Sequence, residues 1–194
     1  MFHLAFANLA QNKTRLLLSI GGTGLAMALV LFFGAVFAGA TGRLTAYIDH
    51  AGADVWVSQE GVRTMHMSAS ILPASVQAEV EAAAGVETAE AILYTSDTVH
   101  AGNRDFIAYV FGLSTEAALG RPWNVIEGAD KVRSGEAIID RAVASSAGVR
   151  IGDAVTVMGH AMTVVGFNAG GSSLVSSVTF INIADFQRIR GGDD

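Results

Sequence analysis

The stretch "RLLLSIGGTGLAMALVLFFGAVFAGATGR", residues 15–43, has no charged residue between its two arginines. Within it, residues 16–40 are an apolar run of 25 residues. An α-helix rises about 1.5 Å per residue, so a helix of this length is roughly 38 Å long and crosses a hydrocarbon core of ~30 Å with some tilt. The apolar part of a cleaved signal peptide is usually only about 7–15 residues long. The run therefore predicts a retained transmembrane helix over residues 16–40.

The same run leaves one alternative open. Ala38, Gly39 and Ala40 match the A-x-A pattern of a signal-peptidase site. Under that alternative the protein is an exported soluble domain whose apolar segment has been removed. An intact mass well below 20.1 kDa would support it.

The charges that flank the run predict its orientation. Lys13 and Arg15 precede it without any acidic residue, whereas Arg43 is soon followed by Asp49 and Asp54. Positively charged flanks stay on the cytoplasmic side of a membrane. We therefore expect a protein of the cell inner (plasma) membrane, with a cytoplasmic N-terminus and a main domain that is periplasmic or extracellular.

The residues before the run are also patterned. Phe2, Phe6 and Leu9 fall at positions i, i+4 and i+7, on one face of a helix, with Lys13 and Arg15 behind them. An apolar face followed by basic residues is typical of a helix that lies at a membrane surface. Residues 1–15 are thus predicted to be a cytoplasmic amphipathic segment, or else an extension of the membrane helix.

Small residues recur at four-residue spacing inside the run. Such spacing lets two helices approach each other closely in a bilayer, although glycine and alanine are also simply common in membrane helices. We predict a helix-packing face formed by three pairs: Gly24 with Ala28, Gly34 with Ala38, and Ala35 with Gly39.

Composition excludes several functions. The 194-residue chain has a net charge of −6 and no cluster of lysine and arginine, so it does not carry the footprint of a nucleic-acid-binding protein. It has no cysteine, which excludes disulfides and thiolate chemistry. Hydrophobic residues make up 51% of the chain and charged residues 15%.

Residues 41–194 alternate between strand-like and helix-like patterns. Two hairpins are predicted, one turning at "AGN" (residues 101–103) and one at Gly159-His160. A strand at residues 137–139 leads into a helix that Asp140 can cap. Strands are also predicted at residues 53–59 and at "SSVTFINI", and helices at "LPASVQAEVEAAAG" and "ADFQRIRG", while residues 115–135 read as mostly loop. The order predicts a mixed α+β domain over residues 41–194.

We find no motif for catalysis. Met65, His66 and Met67 could offer soft ligands to a metal such as Cu(I), but they adjoin in sequence and have no spaced partner set, so no metal site is predicted. No G-x-S-x-G motif is present, and "SIGGTG" lies inside the apolar run rather than after a strand. The sequence predicts no enzyme, no catalytic residue and no cofactor.

Several segments in their order resemble a known family. "NLAQNKTRLLLSIGG", the apolar run, "DVWVSQEG", "GEAIIDRAVASSAGVRIGDAVTVMGHAMTVVG" and "SVTFINIADFQRI" resemble the ABC transporter permease subunits of the MacB-like and FtsX-LolC superfamily. The stretch "AGGSSLVSSVTFINIADFQRI" is nearest to the DevC-like branch. In that family the N-terminal helix is the first of four, and an extracytoplasmic core domain of two interlocked subdomains follows it.

The resemblance implies a function and a set of partners. The chain would be a membrane subunit, the permease part, of an ATP-driven ABC export or mechanotransmission complex, ending before the remaining transmembrane helices. Its expected partners are a separate ABC ATPase subunit, a second permease subunit in a dimer, a periplasmic adaptor protein and the lipid bilayer. The alternative is a stand-alone, membrane-anchored extracytoplasmic binding or scaffold module without transport activity.

Overall fold

The structure, a computed structural model, describes residues 13–62, 69–170 and 177–191, with the backbone alone described for residues 40–46. The chain divides into two compact units, Met1–Gly42 and Arg43–Asp194. The first long helix, α1 (Lys13–His50), contributes residues to both units.

The apolar run is helical, as predicted. Residues Lys13–Gly39 form a helical segment that is long and apolar enough to cross a membrane, judged by length and composition. Leu17, Val30 and Phe37 in this segment are each more than 70% exposed. The bounds 16–40 of the membrane span stay a prediction.

In the described part of the second unit, the end of α1 is followed by three further helices and seven strands. The helices are α2 (Ser75–Glu81), α3 (Arg141–Ala147) and α4 (Ile183–Gly191). The strands are β1 (Leu93–Ala101), β2 (Arg104–Leu113), β3 (Val125–Gly128), β4 (Glu136–Asp140), β5 (Ala154–Val157), β6 (His160–Asn168) and β7 (Ser177–Asn182). The prediction of a mixed α+β domain is confirmed.

All seven strands belong to one sheet, in the order β3-β6-β4-β7-β2-β1-β5. β5 pairs with β6 as well as with β1, and this pairing closes six of the strands into a ring. Along one of its edges, β6 pairs with two strands in succession. This is possible because β6 is nine residues long: its first half pairs with β5 and its last residues pair with β3. The strands β2 and β7, and likewise β4 and β6, are parallel.

The central strands are buried on both faces. Side chains on a strand alternate between its two faces, and here each face contributes to a separate apolar cluster. Val110 and Ile139 belong to the inner cluster together with α3, whereas Phe111, Ile138 and Phe180 belong to the outer cluster. The end of α1 covers the outer cluster.

The predicted junction between β4 and α3 is confirmed. Asp140 ends the strand in an extended conformation, and its side chain accepts a hydrogen bond from the backbone N–H of Ala142 at 2.7 Å. The helix ends at Gly148, whose left-handed conformation (φ 71°) is the common way to terminate a helix. Both predicted hairpins are present as well, although the second turn is Met158-Gly159, because His160 already pairs with Val157.

Two local predictions are wrong. Residues 53–59 are not a strand: among the described residues they pair with no other strand, Trp56 lies against Tyr47, and Val55 and Val57 are exposed. Conversely, the segment 115–135, which the sequence predicts to be mostly loop, contains the four-residue strand β3. None of the four residues of β3 is fully buried, so the strand lacks the alternation of buried and exposed side chains that identifies most strands.

Arg43–Asp194 form one compact unit around a shared sheet. The division of this unit into two interlocked subdomains stays a prediction. Two further segments that the sequence analysis singled out lie wholly or largely outside the described residues. They are the amphipathic segment of residues 1–15, of which only residues 13–15 are described, and the Met65-His66-Met67 cluster.

Candidate functional site

The end of α1 is anchored to the sheet by an aromatic cluster. Tyr47 is only 4% exposed. Its ring stacks on Phe111 of β2, with 3.9 Å between ring centroids and 24° between ring planes, and lies 6.2 Å from Phe180 of β7. Trp56 and Trp123 flank the same ring at 6.1 and 5.9 Å. One side chain of the helix thus contacts the two central strands and two loops.

The hydroxyl group of Tyr47 is both buried and hydrogen-bonded. Its hydroxyl donates a hydrogen bond to the carbonyl oxygen of Gly120 at 3.0 Å, and the N–H of Gly120 donates to the carbonyl oxygen of Ala51 at 2.8 Å. Burial raises the pKa of the Tyr47 phenol far above its usual value, because the ionised form would lose its hydration. The tyrosine is therefore neutral and acts as a hydrogen-bond donor.

Gly120 is the residue that allows the loop to approach the helix this closely. Its φ of +72° lies in the left-handed region. A Cβ atom at this position would lie 2.6 Å from Cδ1 of Ile92 and 2.8 Å from the hydroxyl oxygen of Tyr47. Position 120 therefore accepts only glycine without displacing the tyrosine.

The loop that carries Gly120, residues 114–124, is fixed at several points. The Thr115 hydroxyl donates to the carbonyl oxygen of Val132 at 2.8 Å and accepts from the Asn182 amide at 2.9 Å. Further along, the N–H of Ala118 donates to the Glu90 carboxylate at 2.9 Å. We call this loop the strap, because it holds the end of α1 against the sheet.

A second polar centre orders the strands next to the strap. Asp185, near the start of α4, is 1% exposed. Its carboxylate accepts hydrogen bonds from the Ser134 hydroxyl, the Gly135 N–H and the Arg188 guanidinium, each at 2.7 Å. Charge-assisted bonds of this kind offset the cost of burying a carboxylate. The centre is structural, and no reacting group faces it among the described residues.

The six predicted helix-packing residues lie on the exposed part of α1. At about 100° per residue, Gly24, Ala28, Ala35 and Gly39 fall within an arc of roughly 60°, and Gly34 and Ala38 adjoin that arc. A Cβ atom at Gly24, Gly34 or Gly39 would meet nothing within 4 Å outside the helix's own neighbourhood. The face is available to a partner helix, and its role stays a prediction.

The described residues offer no cluster of three or more His, Cys, Asp or Glu side chains that could hold a metal ion. Three aspartates of the second unit serve local structure. Asp140 caps α3, Asp153 accepts a hydrogen bond from the Arg150 N–H at 2.8 Å, and Asp105 pairs with His100 at the first hairpin.

The comparisons with known proteins agree with this architecture. A family model described as the MacB-like periplasmic core domain matches residues 16–193, which is most of the chain. The chain belongs to this family, and the predicted resemblance to the permease components of ABC-type transporters is confirmed. No comparison bears on the DevC-like branch, which stays a prediction.

Two solved structures match parts of the chain. The chain is similar to the extracellular domain of the noncanonic ABC-type transporter YknZ from Gram-positive bacteria, at 14% identity and a TM-score of 0.50, over 62% of this chain and 67% of that one. It also matches the periplasmic region of MacB from Actinobacillus actinomycetemcomitans, at 13% identity and a TM-score of 0.46, over 62% of this chain and 59% of that one. No curated protein matches the chain.

The sequence did not predict the packing of Tyr47 on Phe111 and Phe180, which we call the anchor. Tyr47 follows the apolar run without any motif around it, and its main partners Phe111 and Phe180 are distant in sequence. The one local signal was Gly120, which stands in a segment predicted as loop and adopts the conformation that a glycine in a tight approach requires.

Proposed function

We propose that this chain is the membrane subunit, the permease part, of an ATP-driven ABC export or mechanotransmission complex. Membership of the MacB-like family supports the class of transporter component. The proposal adds that residues 16–40 span the membrane and that movement of α1 is passed to the extracytoplasmic domain. The observation that carries it is the anchoring of Tyr47 in the outer apolar cluster.

The anchor is suited to transmitting a displacement. Tyr47 contacts β2 and β7, which are the two parallel strands at the centre of the sheet. Packed interiors are about as dense as organic crystals and have low compressibility, so they transmit strain rather than absorb it. Because the strap accepts a hydrogen bond from the hydroxyl group of the same residue, a shift of the end of α1 would move the sheet or break the Tyr47–Gly120 hydrogen bond.

The proposed topology places residues 1–15 in the cytoplasm and residues 41–194 outside. The basic flank of Lys13 and Arg15 supports this orientation. The chain has no cysteine, so single cysteines report position cleanly. In intact cells, a membrane-impermeant maleimide should label Asn103→Cys at the exposed first hairpin, and should label Lys13→Cys only after permeabilisation. The reverse pattern would contradict the topology.

The proposed partners follow from the class of transporter. An ABC ATPase subunit would supply ATP hydrolysis on the cytoplasmic side, and a second permease subunit would complete a dimer. A periplasmic adaptor protein would contact the outer domain. The lipid bilayer surrounds the apolar part of α1. In this proposal the chain makes and breaks no covalent bond; it carries motion from one side of the membrane to the other.

The test is to capture the tagged chain from its native membranes in lipid nanodiscs and to attach a fluorophore at Asn103→Cys. We expect an ABC ATPase to co-purify, and ATP to change the fluorescence. Tyr47→Ala should abolish that change while the ATPase still co-purifies. If no ATPase co-purifies, the stand-alone module is the better description. If the ATPase is present but ATP leaves the fluorescence unchanged, transmission through the anchor is refuted.

A further inference from the structure

A cavity of about 450 Å³ is lined by residues of the inner core cluster, whereas Tyr47 belongs to the outer cluster. It is bounded by α3, β3 and the segment 148–151 that follows α3. This volume falls within the range of small-molecule sites, roughly 300–1,000 Å³. Nothing in the proposed transport mechanism uses it.

The buried base of the cavity, here called its floor, is formed by apolar side chains whose positions are fixed by packing. It is formed by Ala144, Val149 and Phe167, which are 1%, 9% and 2% exposed. Ile151 forms one wall and remains 40% exposed, so it can cover an apolar group placed on the floor. The buried floor residues belong to the inner core cluster, which fixes their positions.

The rim of the cavity is cationic. Arg141 is held in place from two directions: its guanidinium pairs with Glu127 on β3 and lies 5.1 Å from the centre of the Phe167 ring. Arg150 also lines the cavity. Its backbone N–H bonds to Asp153, whereas its guanidinium makes no ion pair among the described residues. Two guanidinium groups and one carboxylate therefore leave an excess of positive charge over an apolar floor.

We propose that this cavity binds a small carboxylate with an apolar body. The apolar body would lie against Ile151 and the edge of Val149. The carboxylate would accept hydrogen bonds from Arg150, with Arg141 adding its positive charge. Arginine is suited to the role because its planar fork matches a carboxylate in two parallel hydrogen bonds. Arg141 is already positioned by Glu127, so little side-chain freedom is lost on binding.

The probe is hexanoate, added to the full chain in nanodiscs, with acetate and 1-hexanol as controls. The methyl groups of Ile151 and Val149 are followed by NMR, and those of Ile107, an exposed residue of β2, serve as the remote reference. We expect hexanoate to shift the Ile151 and Val149 signals in a saturable way and to leave Ile107 unchanged. Acetate lacks the apolar body and hexanol lacks the charge, so both should bind more weakly.

Two variants locate the site. Arg150→Gln should weaken hexanoate binding roughly ten- to a hundredfold, the worth of a hydrogen bond to a charged group, while Arg121→Gln removes the same charge from the strap and should change nothing. Ser145→Trp, on the exposed side of α3, should fill the cavity and block binding without altering charge. Equal binding of hexanoate and hexanol, equal binding of acetate, or an unchanged affinity in Arg150→Gln would each overturn the proposal.

Discussion

Tyr47 and Gly120 are 73 positions apart in the chain, and the tyrosine hydroxyl donates a hydrogen bond of 3.0 Å to the glycine carbonyl oxygen. This contact joins the end of the long helix to the strap. The ring of the same tyrosine stacks on Phe111. The two interactions can be separated by mutation, because one uses the hydroxyl group and the other the ring.

Replacing Tyr47 should destabilise the domain in two distinct steps. Tyr47→Phe removes one buried hydrogen bond and should lower the free energy of unfolding by about 1 kcal/mol. Tyr47→Ala also removes the ring and should cost about 3–5 kcal/mol. Denaturant titration of the full chain in detergent, followed by the fluorescence of Trp56 and Trp123, measures both. Ile107→Ala, at an exposed position, is the control and should change stability by less than about 0.5 kcal/mol. Equal losses for Phe and Ala would contradict the stacking role.

The ionisation of Tyr47 should make the stability of the domain depend on pH in the alkaline range. Burial raises its pKa above that of an unfolded chain, so the folded state holds the phenolic proton more tightly. This contribution is complete below about pH 10 and is lost as the pH rises further, because the unfolded state then releases the proton first. The free energy of unfolding should therefore fall above about pH 10. Burial also raises the pKa of Tyr94, so Tyr47→Phe should flatten the decline without abolishing it. An identical slope in wild type and variant would show that Tyr47 does not titrate as described.

Gly120→Ala should destabilise the domain more than an alanine substitution at another glycine whose φ is also positive. Gly120 and Gly159 have φ values of +72° and +82°, but a Cβ at Gly159 would meet nothing within 4 Å. Gly159→Ala should cost about 1–2 kcal/mol for the left-handed conformation alone. Gly120→Ala should cost about 1–3 kcal/mol more, because the new methyl group overlaps Ile92 and Tyr47. Chemical denaturation of both variants gives the difference; a value near zero would mean that the strap relaxes freely.

The buried carboxylate of Asp185 should matter more than its exposed partner. Asp185→Ala leaves the Gly135 N–H and the Ser134 hydroxyl without their acceptor and should destabilise the domain by about 3–5 kcal/mol. Arg188→Gln removes a side chain that is 58% exposed, and should cost at most about 1 kcal/mol. Thermal or denaturant unfolding of the two variants side by side measures the contrast. If Arg188→Gln lowered the stability more than Asp185→Ala, Asp185 would not be the more important residue of the pair.

The small-residue face of α1 can be tested with two substitutions of the same kind. Ala28→Leu places a bulky side chain on the predicted packing face, whereas Ala26→Leu places it on roughly the opposite side of the helix. If helices pack through this face, Ala28→Leu should reduce association several-fold and Ala26→Leu should leave it nearly unchanged. Cysteine cross-linking of the chain in membranes measures association. Equal effects of the two substitutions would show that the face has no packing role.

Local features of the fold were readable from the sequence, and long-range ones were not. The apolar run, both hairpins and the Asp140 cap rest on patterns within some twenty residues. The order of the sheet was not readable, because the parallel pairs β2–β7 and β4–β6 join distant segments and leave no periodic trace. Residues 53–59 show the limit of periodicity: their alternation reflects Trp56 facing the aromatic cluster, not a strand with partners.

The candidate site divides in the same way. The small-residue spacing on α1 is a local pattern and could be read directly. The aromatic anchor depends on where the sheet places Phe111 and Phe180 relative to Tyr47, so only the folded arrangement identifies it.

The position of β7 at the centre of the sheet has a consequence for biosynthesis. Phe180 emerges from the ribosome about 130 residues after Tyr47, which at about 5–20 residues per second is roughly 7–25 s later. Until then β2 and β4 lack the strand that lies between them, so the cluster that holds Tyr47 is incomplete. The long helix is thus made well before the surface that receives its last turn. Before Phe180 is made, Tyr47 and Trp56 lack part of the surface that covers them in the folded domain. We therefore expect chaperone binding, or aggregation through these two residues, to be favoured in this interval.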